Sequence, residues 1–531
     1  MIRFPLIDRL QISSTGANPA SPRRPGALRR QIGLWGGILV FVAMMVMTPP
    51  SGMGMVAWHA AALAALMAVW WLSEAIPIAA TALVPVALAP MLGLAPVGQV
   101  TQHYANPLLF MFLGGFVIAI AMERWSLHRR IALLILKRVG FCPRALVGGF
   151  IAATAFLSMW VSNTATATMM LPIALSIINL LKDQQAKAPD VTGVVAEPGE
   201  AKDAVKAGDP DVEQLDPSTR NFAMALLFGI AFGASIGGIG TLIGTPPNAL
   251  LAGYLASNFD IAIGFGQWML LGVPFAAVLL VLCWVVLTRF VYPQADDLPA
   301  AACAALERDI ATLGPMSRGE KPVAIVFVAT ASLWLLRPLI EVALPVLPIS
   351  DASIAMLAAI VLFALPVNAR ENVHVLDWKA TLRLPWGVLL LVGGGLALGA
   401  MINDSGLAVW VAGNAGALPD LPVFVQITLI AAMVILISHL TSNTATAATF
   451  LPLVATYALG EGIDPLLLAV PVALAASCAF MLPVATPPNA IVFASGYLTV
   501  GDMVRAGAVV NLIGLVLLVL FSILLVPILF G

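Results

Sequence analysis

The chain has 531 residues, of which 60% are hydrophobic and only 10% charged, and its mean hydropathy is +0.99. A soluble core cannot absorb that much apolar surface, since soluble domains run to about one-quarter charged residues. The formal net charge of −1 gives no basic field for nucleic acid, and none is expected as a partner.

In chain order, residues 1–31 hold Arg3, Arg9, Arg23, Arg24, Arg29 and Arg30 among Pro and Ser, without the apolar stretch and cleavage site of a signal peptide, and read as a disordered cytoplasmic tail. Apolar runs such as 32–48, 269–287 and 509–530 reach the length that a bilayer-spanning helix needs. They lack the alternation of barrel strands, so helices are the element that satisfies backbone groups in lipid. The first crossings are expected at 32–47, 56–75, 79–94 and 108–122, the first of them occupying 32–54 with its connection. The fold class is therefore an all-α polytopic membrane protein with the lipid bilayer as its surroundings. Four cysteines, Cys142, Cys283, Cys303 and Cys478, show no metal-ligand or redox spacing and read as small apolar residues.

Lys and Arg fall on one side of the expected crossings. Arg129, Arg130, Lys137 and Arg138, the stretch 182–220, Arg308, Arg318 and Lys321, Arg370, Lys379 and Arg383, and Arg505 lie on alternate connections, whereas 99–106, 256–265, 404–421 and 460–464 contain none. The positive-inside rule then puts the N-terminus in the cytoplasm and the C-terminus outside, in a plasma (cell inner) membrane. Arg337 is the exception and is expected to pair with Glu341 one turn on.

SNTATATMMLP at 162–172 recurs as SNTATAATFLP at 442–452, an offset of 280, and Gly114 and Gly115 share that offset with Gly394 and Gly395. GTPPNA at 244–249 recurs as ATPPNA at 485–490, an offset of 241. The difference of 39 is an insertion in the first half, matched by the polar stretch 183–219, which reads as a disordered cytoplasmic loop. Two repeats are expected, 55–291 and 321–531, joined by a cytoplasmic connection over 292–320. Five crossings in each would make them inverted, a plan recurrent in secondary transporters.

Each SNT sits between two apolar stretches with no charged loop, so 145–181 and 423–457 are expected as hairpins dipping into the membrane. Consecutive prolines in each TPPN remove amide donors and free carbonyls, so Gly244, Thr245, Ala485 and Thr486 can present main-chain oxygens to a hard cation. Ser, Thr and Asn in one such motif would more simply join helices; four segments in two duplicated pairs point to a site. Residues 158–172, 235–249, 438–452 and 478–490 hold no Lys, Arg, Asp or Glu, so a dianion bound there needs helix ends plus bound cations to offset its charge.

At these residues the chain resembles the divalent anion:sodium symporter family. WWLSEAIP at 70–77, the stretch 376–401 and SGLAVW at 405–410 extend the likeness. The resemblance implies eleven transmembrane helices plus two re-entrant hairpins in an inverted repeat, a homodimer, and elevator-like movement of a transport domain. It implies one sodium held by Ser158, Ser162, Asn163 and the Gly244 carbonyl, and another by Ser438, Asn443 and the carbonyls of Thr441 and Ala485. It implies substrate contacts from Asn163, Thr164, Asn443 and Thr444, with Thr245, Pro247, Thr486 and Pro488 lining the pocket.

Trp70 and Ser73 are expected in scaffold packing, and His439 in packing near the second hairpin tip. Sodium-coupled uptake of C4-type dicarboxylates (succinate, malate, fumarate) is the leading reading, with sodium as co-transported ligand and no cofactor. A sodium-independent carboxylate exchanger and a citrate or sulfate symporter are its rivals. An enzyme is disfavoured because Ser162 and Ser442 have no base or metal partner in the motif, and a channel because polar residues gather at two tips instead of lining several helices.

Overall fold

The computed structural model describes residues 27–140, 142–187, 216–294, 310–346, 349–414 and 421–530. The expected tail over 1–31 lies outside these but for its last residues, as do most of the loop 183–219 and half of the connection 292–320.

Nine helices among the described residues are long and apolar enough to cross a membrane, and the molecule is a polytopic helical membrane protein. The first helix, α1 (Ala27–Val46), starts five residues before its expected place at 32 and packs on α2 (Met55–Ser73). Here Trp70 Nε1 donates to the Leu34 carbonyl of α1 at 3.3 Å, and Ser73 lies so close to Gly33 of α1 that a Cβ there would overlap its side chain, the packing anticipated for both. The expected single helix over 79–94 is instead broken into α3 (Ile78–Thr81) and α4 (Val84–Leu88) followed by turns. Pro85 has no amide to give the Thr81 carbonyl, and the ladder stops there. After the short α5 (Val97–Gln102) come α6 (Pro107–Arg124) and α7 (Leu127–Val139).

Both SNT segments are helix–turn–helix units. In the first, α8 (Pro143–Ser158) and α9 (Asn163–Lys187) flank a turn at 159–162. Each TPPN likewise divides two helices: α10 (Pro217–Gly238) ends before 239–245, and α11 (Pro246–Phe259) begins on the prolines. The long α12 (Phe265–Val285), α13 (Glu320–Ala343) and α14 (Asp351–Ala364) follow. A two-strand antiparallel pair at Pro366–Asn368 and Val373–His374 is the one departure from all-α among the described residues. Then come α15 (Trp386–Asp404), α16 (Leu407–Asn414), the second unit α17 (Val423–Ser438) and α18 (Asn443–Gly460), α19 (Pro465–Ala476), α20 (Pro487–Phe493) and α21 (Val500–Phe530).

The core centres on α10, 94% of whose span is buried, while α1 is 11% buried and turns Leu39 and Val46 outward. Lipid tails are as apolar as Leu, so helices gain little from burial against each other and rely on close approach through small residues. A Cβ on Gly114 would stand 2.5 Å from the Ala355 carbonyl oxygen, and one on its counterpart Gly394 would stand 2.4 Å from the Ala82 carbonyl oxygen. At the edge of the bundle, Arg337 Nε meets Glu341 at 2.8 Å, as anticipated, and Arg337 Nη1 also meets Asp351 at 2.9 Å. Of the cysteines, Cys142 is exposed, Cys283 and Cys478 are buried, and Cys303 lies outside the described residues.

Candidate functional site

The SNT and TPPN segments of each half meet through fully buried serines. Ser158, last residue of α8, donates to the Ala234 carbonyl of α10 at 2.7 Å, and its Oγ lies 2.5 Å from Asn163 Oδ1. Ser438, last residue of α17, donates to the Ala476 carbonyl of α19 at 2.7 Å, and its Oγ lies 2.9 Å from Asn443 Oδ1. Serine recurs in both because a small hydroxyl can bridge two helices where a larger side chain would force them apart.

Asn163 is the more informative of the two asparagines. Its amide end faces three oxygens, Ser158 Oγ at 2.5 Å and the carbonyls of Ala234 and Gly244 at 3.2 Å; turned over, its nitrogen would donate to all three. With the oxygen inward, four neutral oxygens crowd together with one hydroxyl proton among them. A hard cation holds oxygens at about 2.4 Å, which in octahedral geometry spaces neighbours by about 3.4 Å; the two 3.2 Å separations are near that spacing, while the 2.5 Å one is a hydrogen-bond distance that a bound cation would have to widen. Gly238 allows it: a Cβ there would stand 2.7 Å from Asn163 Oδ1 and 3.1 Å from the Gly244 carbonyl oxygen. Among the described residues no group of three His, Cys, Asp or Glu could hold a metal, so a cation at the motifs would rest on neutral oxygens.

The breaks before the prolines are held open by two asparagines that the sequence reading left without a role. Asn248 Nδ2 donates to the carbonyls of Gly238, Ile239 and Thr241 at 3.3, 3.2 and 2.8 Å. At the same offset of 241, Asn489 Nδ2 donates to the carbonyls of Ala479 and Leu482 at 3.4 and 3.0 Å. Both are wholly buried, and each TPPN could have announced them, since an amide two residues past a helix break is placed to satisfy the carbonyls that the break frees. The Ala234 and Ala476 carbonyls were also missed, because alanine carries no signal for a main-chain contact.

The other expected residues are placed unevenly. Ser162 is exposed, and its Oγ accepts the Ala165 amide at 3.2 Å as a cap on α9. Thr441 Oγ1 lies 2.6 Å from Thr446 Oγ1, a bond the first half lacks because Val161 occupies the equivalent position and leaves Thr166 Oγ1 without a partner. Ala485 is buried, and its amide donates to the Leu482 carbonyl at 3.2 Å. Thr245 and Thr486 are the buried N-caps of α11 and α20, and Thr486 Oγ1 accepts the Asn489 amide at 3.3 Å. Pro247 and Pro488 are buried behind them, while Thr164 is exposed and Thr444 half-buried in the first turns of α9 and α18.

Packing crosses between the halves: α9 lies against α20, and α11 against α18. A helix that begins at one half's SNT therefore runs beside the helix that begins at the other half's TPPN, with amide-bearing ends at all four breaks. A cavity of about 580 Å³ lies elsewhere, lined by Pro107, Gln267, Trp334, Arg337 and Asp351 among others.

Broken helices presenting neutral oxygens inside a polytopic bundle are the build of a secondary transporter. The chain belongs to the divalent anion:sodium symporter family: the profile described as the sodium:sulfate symporter transmembrane region matches residues 30–531. It is 39% identical over 498 residues to the sodium-dependent dicarboxylate transporter SdcS of Staphylococcus saprophyticus, covering 93% of this chain and 91% of that protein. It is 37% identical over 511 residues to SdcS of Staphylococcus aureus strain USA300, covering 96% and 94%. In fold it is similar to the Alcanivorax borkumensis YdaH transporter, with a TM-score of 0.53 at 16% identity over 93% of this chain and 98% of that one. It is also similar in fold to Neisseria gonorrhoeae MtrF, with a TM-score of 0.55 at 12% identity over 93% and 94%. The chain is a membrane transporter, not an enzyme.

Proposed function

We propose that this protein couples sodium influx to uptake of C4-type dicarboxylates such as succinate, malate and fumarate. The observation that carries this reading is the paired, charge-free oxygen cluster at Ser158–Asn163 and Ser438–Asn443. The names of the SdcS relatives support sodium and dicarboxylate as its cargo.

One sodium is assigned to Ser158, Asn163 and the carbonyls of Ala234 and Gly244, with Ser162 kept as a cap; the other to Ser438, Asn443 and the carbonyls of Thr441, Ala476 and Ala485. Asn163, Thr164, Asn443 and Thr444 meet the substrate carboxylates, and Thr245, Pro247, Thr486 and Pro488 form the wall behind them. Each helix start contributes about half a positive charge, so the two SNT starts that carry the carboxylate-meeting residues supply about one, and the bound cations supply the remainder of a dianion's counter-charge. Binding of anion and cations is then mutually dependent, which is the basis of coupling. The two units at 145–181 and 423–457 act as re-entrant hairpins of inverted repeats, with eleven crossings, a cytoplasmic N-terminus and an outside C-terminus. They move in an elevator-like way against a scaffold that dimerises.

Radiolabelled succinate uptake into proteoliposomes, with inward sodium against inward potassium and no internal dicarboxylate, tests the reading. Uptake that needs sodium is expected; with one dianion and the two sodium ions assigned here no net charge moves, so inside-negative potential should leave it unchanged, whereas a third co-transported cation would be worth about 2.3 kcal/mol per 100 mV. Uptake only into dicarboxylate-loaded vesicles, regardless of sodium, would replace symport by exchange. Saturable sodium-dependent uptake of citrate or sulfate in place of succinate would reassign the cargo.

A further inference from the structure

Each helix–turn–helix unit is tied to its neighbouring helix break, and the two halves make the tie differently. In the first, Thr241 Oγ1 donates directly to the Met159 carbonyl in the turn, at 2.5 Å. The second half cannot copy this bond, since Leu482 stands at the position equivalent to Thr241, and His439 at that of Met159.

A three-residue chain takes its place. The Phe480 amide, between α19 and α20, donates to Asn511 Oδ1 at 3.2 Å; Asn511 Nδ2 lies 3.0 Å from His439 Nε2; and His439 Nδ1 lies 2.7 Å from the Ile435 carbonyl. The proton positions follow from the first link, because a backbone amide only donates. Asn511 must accept with its oxygen, so its nitrogen faces Nε2, which accepts, leaving the imidazole proton on Nδ1 to be donated to Ile435. Both side chains are buried, and α21 is pressed against the break, where a Cβ on Gly507 would stand 2.5 Å from the Phe480 carbonyl oxygen. At the position equivalent to Asn511 the first half has Leu270, exposed and apolar.

We infer that Asn511, acting through His439, is a positioning residue of the second cation cluster. It holds the turn that carries Ser438, Thr441 and Asn443 in register with the break that carries Ala485. The two sets of oxygens come from separate helices, and a shift of about 1 Å between them would spoil the coordination shell. The inference rests on the sodium reading of that cluster.

The test is the half-saturating sodium concentration for succinate uptake, with the sodium-induced rise in melting temperature of the purified protein as a readout independent of transport. Asn511→Leu and His439→Phe are expected to raise the half-saturating sodium concentration about tenfold and shrink the thermal shift, with maximal rate at saturating sodium within about twofold of wild type. His439→Gln, whose amide oxygen can accept from Asn511, is expected to stay within about threefold, and Leu270→Ala to match wild type. A role in packing alone predicts the reverse order for the His439 pair, because Phe fills the ring's volume and Gln does not. Equal sodium dependence in His439→Phe, His439→Gln and wild type would overturn the inference, even if Asn511→Leu fails to fold. Wild-type uptake indifferent to sodium would overturn the underlying reading first and show itself in the unmutated arm.

Discussion

Ser158 offers the sharpest test of the cation clusters, because its hydroxyl is fully buried and does two things at once. It donates to the Ala234 carbonyl at 2.7 Å and places its oxygen 2.5 Å from Asn163 Oδ1. Ser158→Ala keeps the backbone and most of the volume, removes one oxygen from the cluster and strips the Ala234 carbonyl of its donor. The loss of one such contact is worth about 1–2 kcal/mol, which corresponds to roughly a 5- to 30-fold rise in the half-saturating sodium concentration. Ser438→Ala removes the matching bonds to Ala476 and Asn443 and is expected to cost the same within a factor of about three. Sodium titrations of succinate uptake in proteoliposomes measure both. Thermal unfolding supplies a check without transport: a tenfold weaker site loses about 1.4 kcal/mol of sodium-dependent stabilisation at saturation. If both variants fold and keep wild-type sodium dependence within about twofold, the oxygens gathered at these serines do not ligand the coupling ion.

Three further outcomes follow from the packing. Asn489→Ala takes a donor from the carbonyls of Ala479 and Leu482, of which Leu482 keeps the Ala485 amide, and is expected to destabilise the protein by about 1–3 kcal/mol, read as a lower melting temperature in detergent. Arg130 and Glu320 form a bidentate pair at 2.8 and 3.2 Å, nearly buried on both sides, joining α7 to α13; Arg130→Ala should cost about 3–5 kcal/mol, and Arg130→Ala combined with Glu320→Ala should recover part of it in a double-mutant cycle. Arg29 on α1 donates to the Leu440 carbonyl in the second turn at 2.7 Å and also to that of Leu72, so Arg29→Ala is expected to speed small-thiol-reagent labelling of a Leu440→Cys variant, with no such effect on Trp160→Cys in the first turn.

Much of this architecture is legible in the chain because lipid leaves a sequence few choices. Long apolar runs must be helices, and charges must avoid them, so composition alone gave the class. The duplications at offsets 280 and 241 then located all four breaks; at the two TPPN segments proline interrupts the helix by a local mechanism that needs no partner, whereas the turns at 159–162 and 439–442 hold no proline and α9 and α18 run through Pro172 and Pro452. The family followed from the same motifs.

What the chain could not specify is every contact made by main-chain atoms or by residues distant in sequence. Ala234 and Ala476 entered the clusters through carbonyls, which all residues share, and no side-chain pattern marks which carbonyl a serine will find. Ser162 reads like Ser158 in the sequence, yet one caps a helix and the other bridges two, a difference set by which way the chain turns at 159–162. His439, Asn511 and Phe480 stand in three separate segments and meet only because α21 packs closely at Gly507. Local sequence thus determined where the helices lie, through hydropathy, and where the TPPN segments break, through proline chemistry; tertiary packing decided which oxygens the breaks bring together, because close approach between helices depends on small residues contributed by both sides.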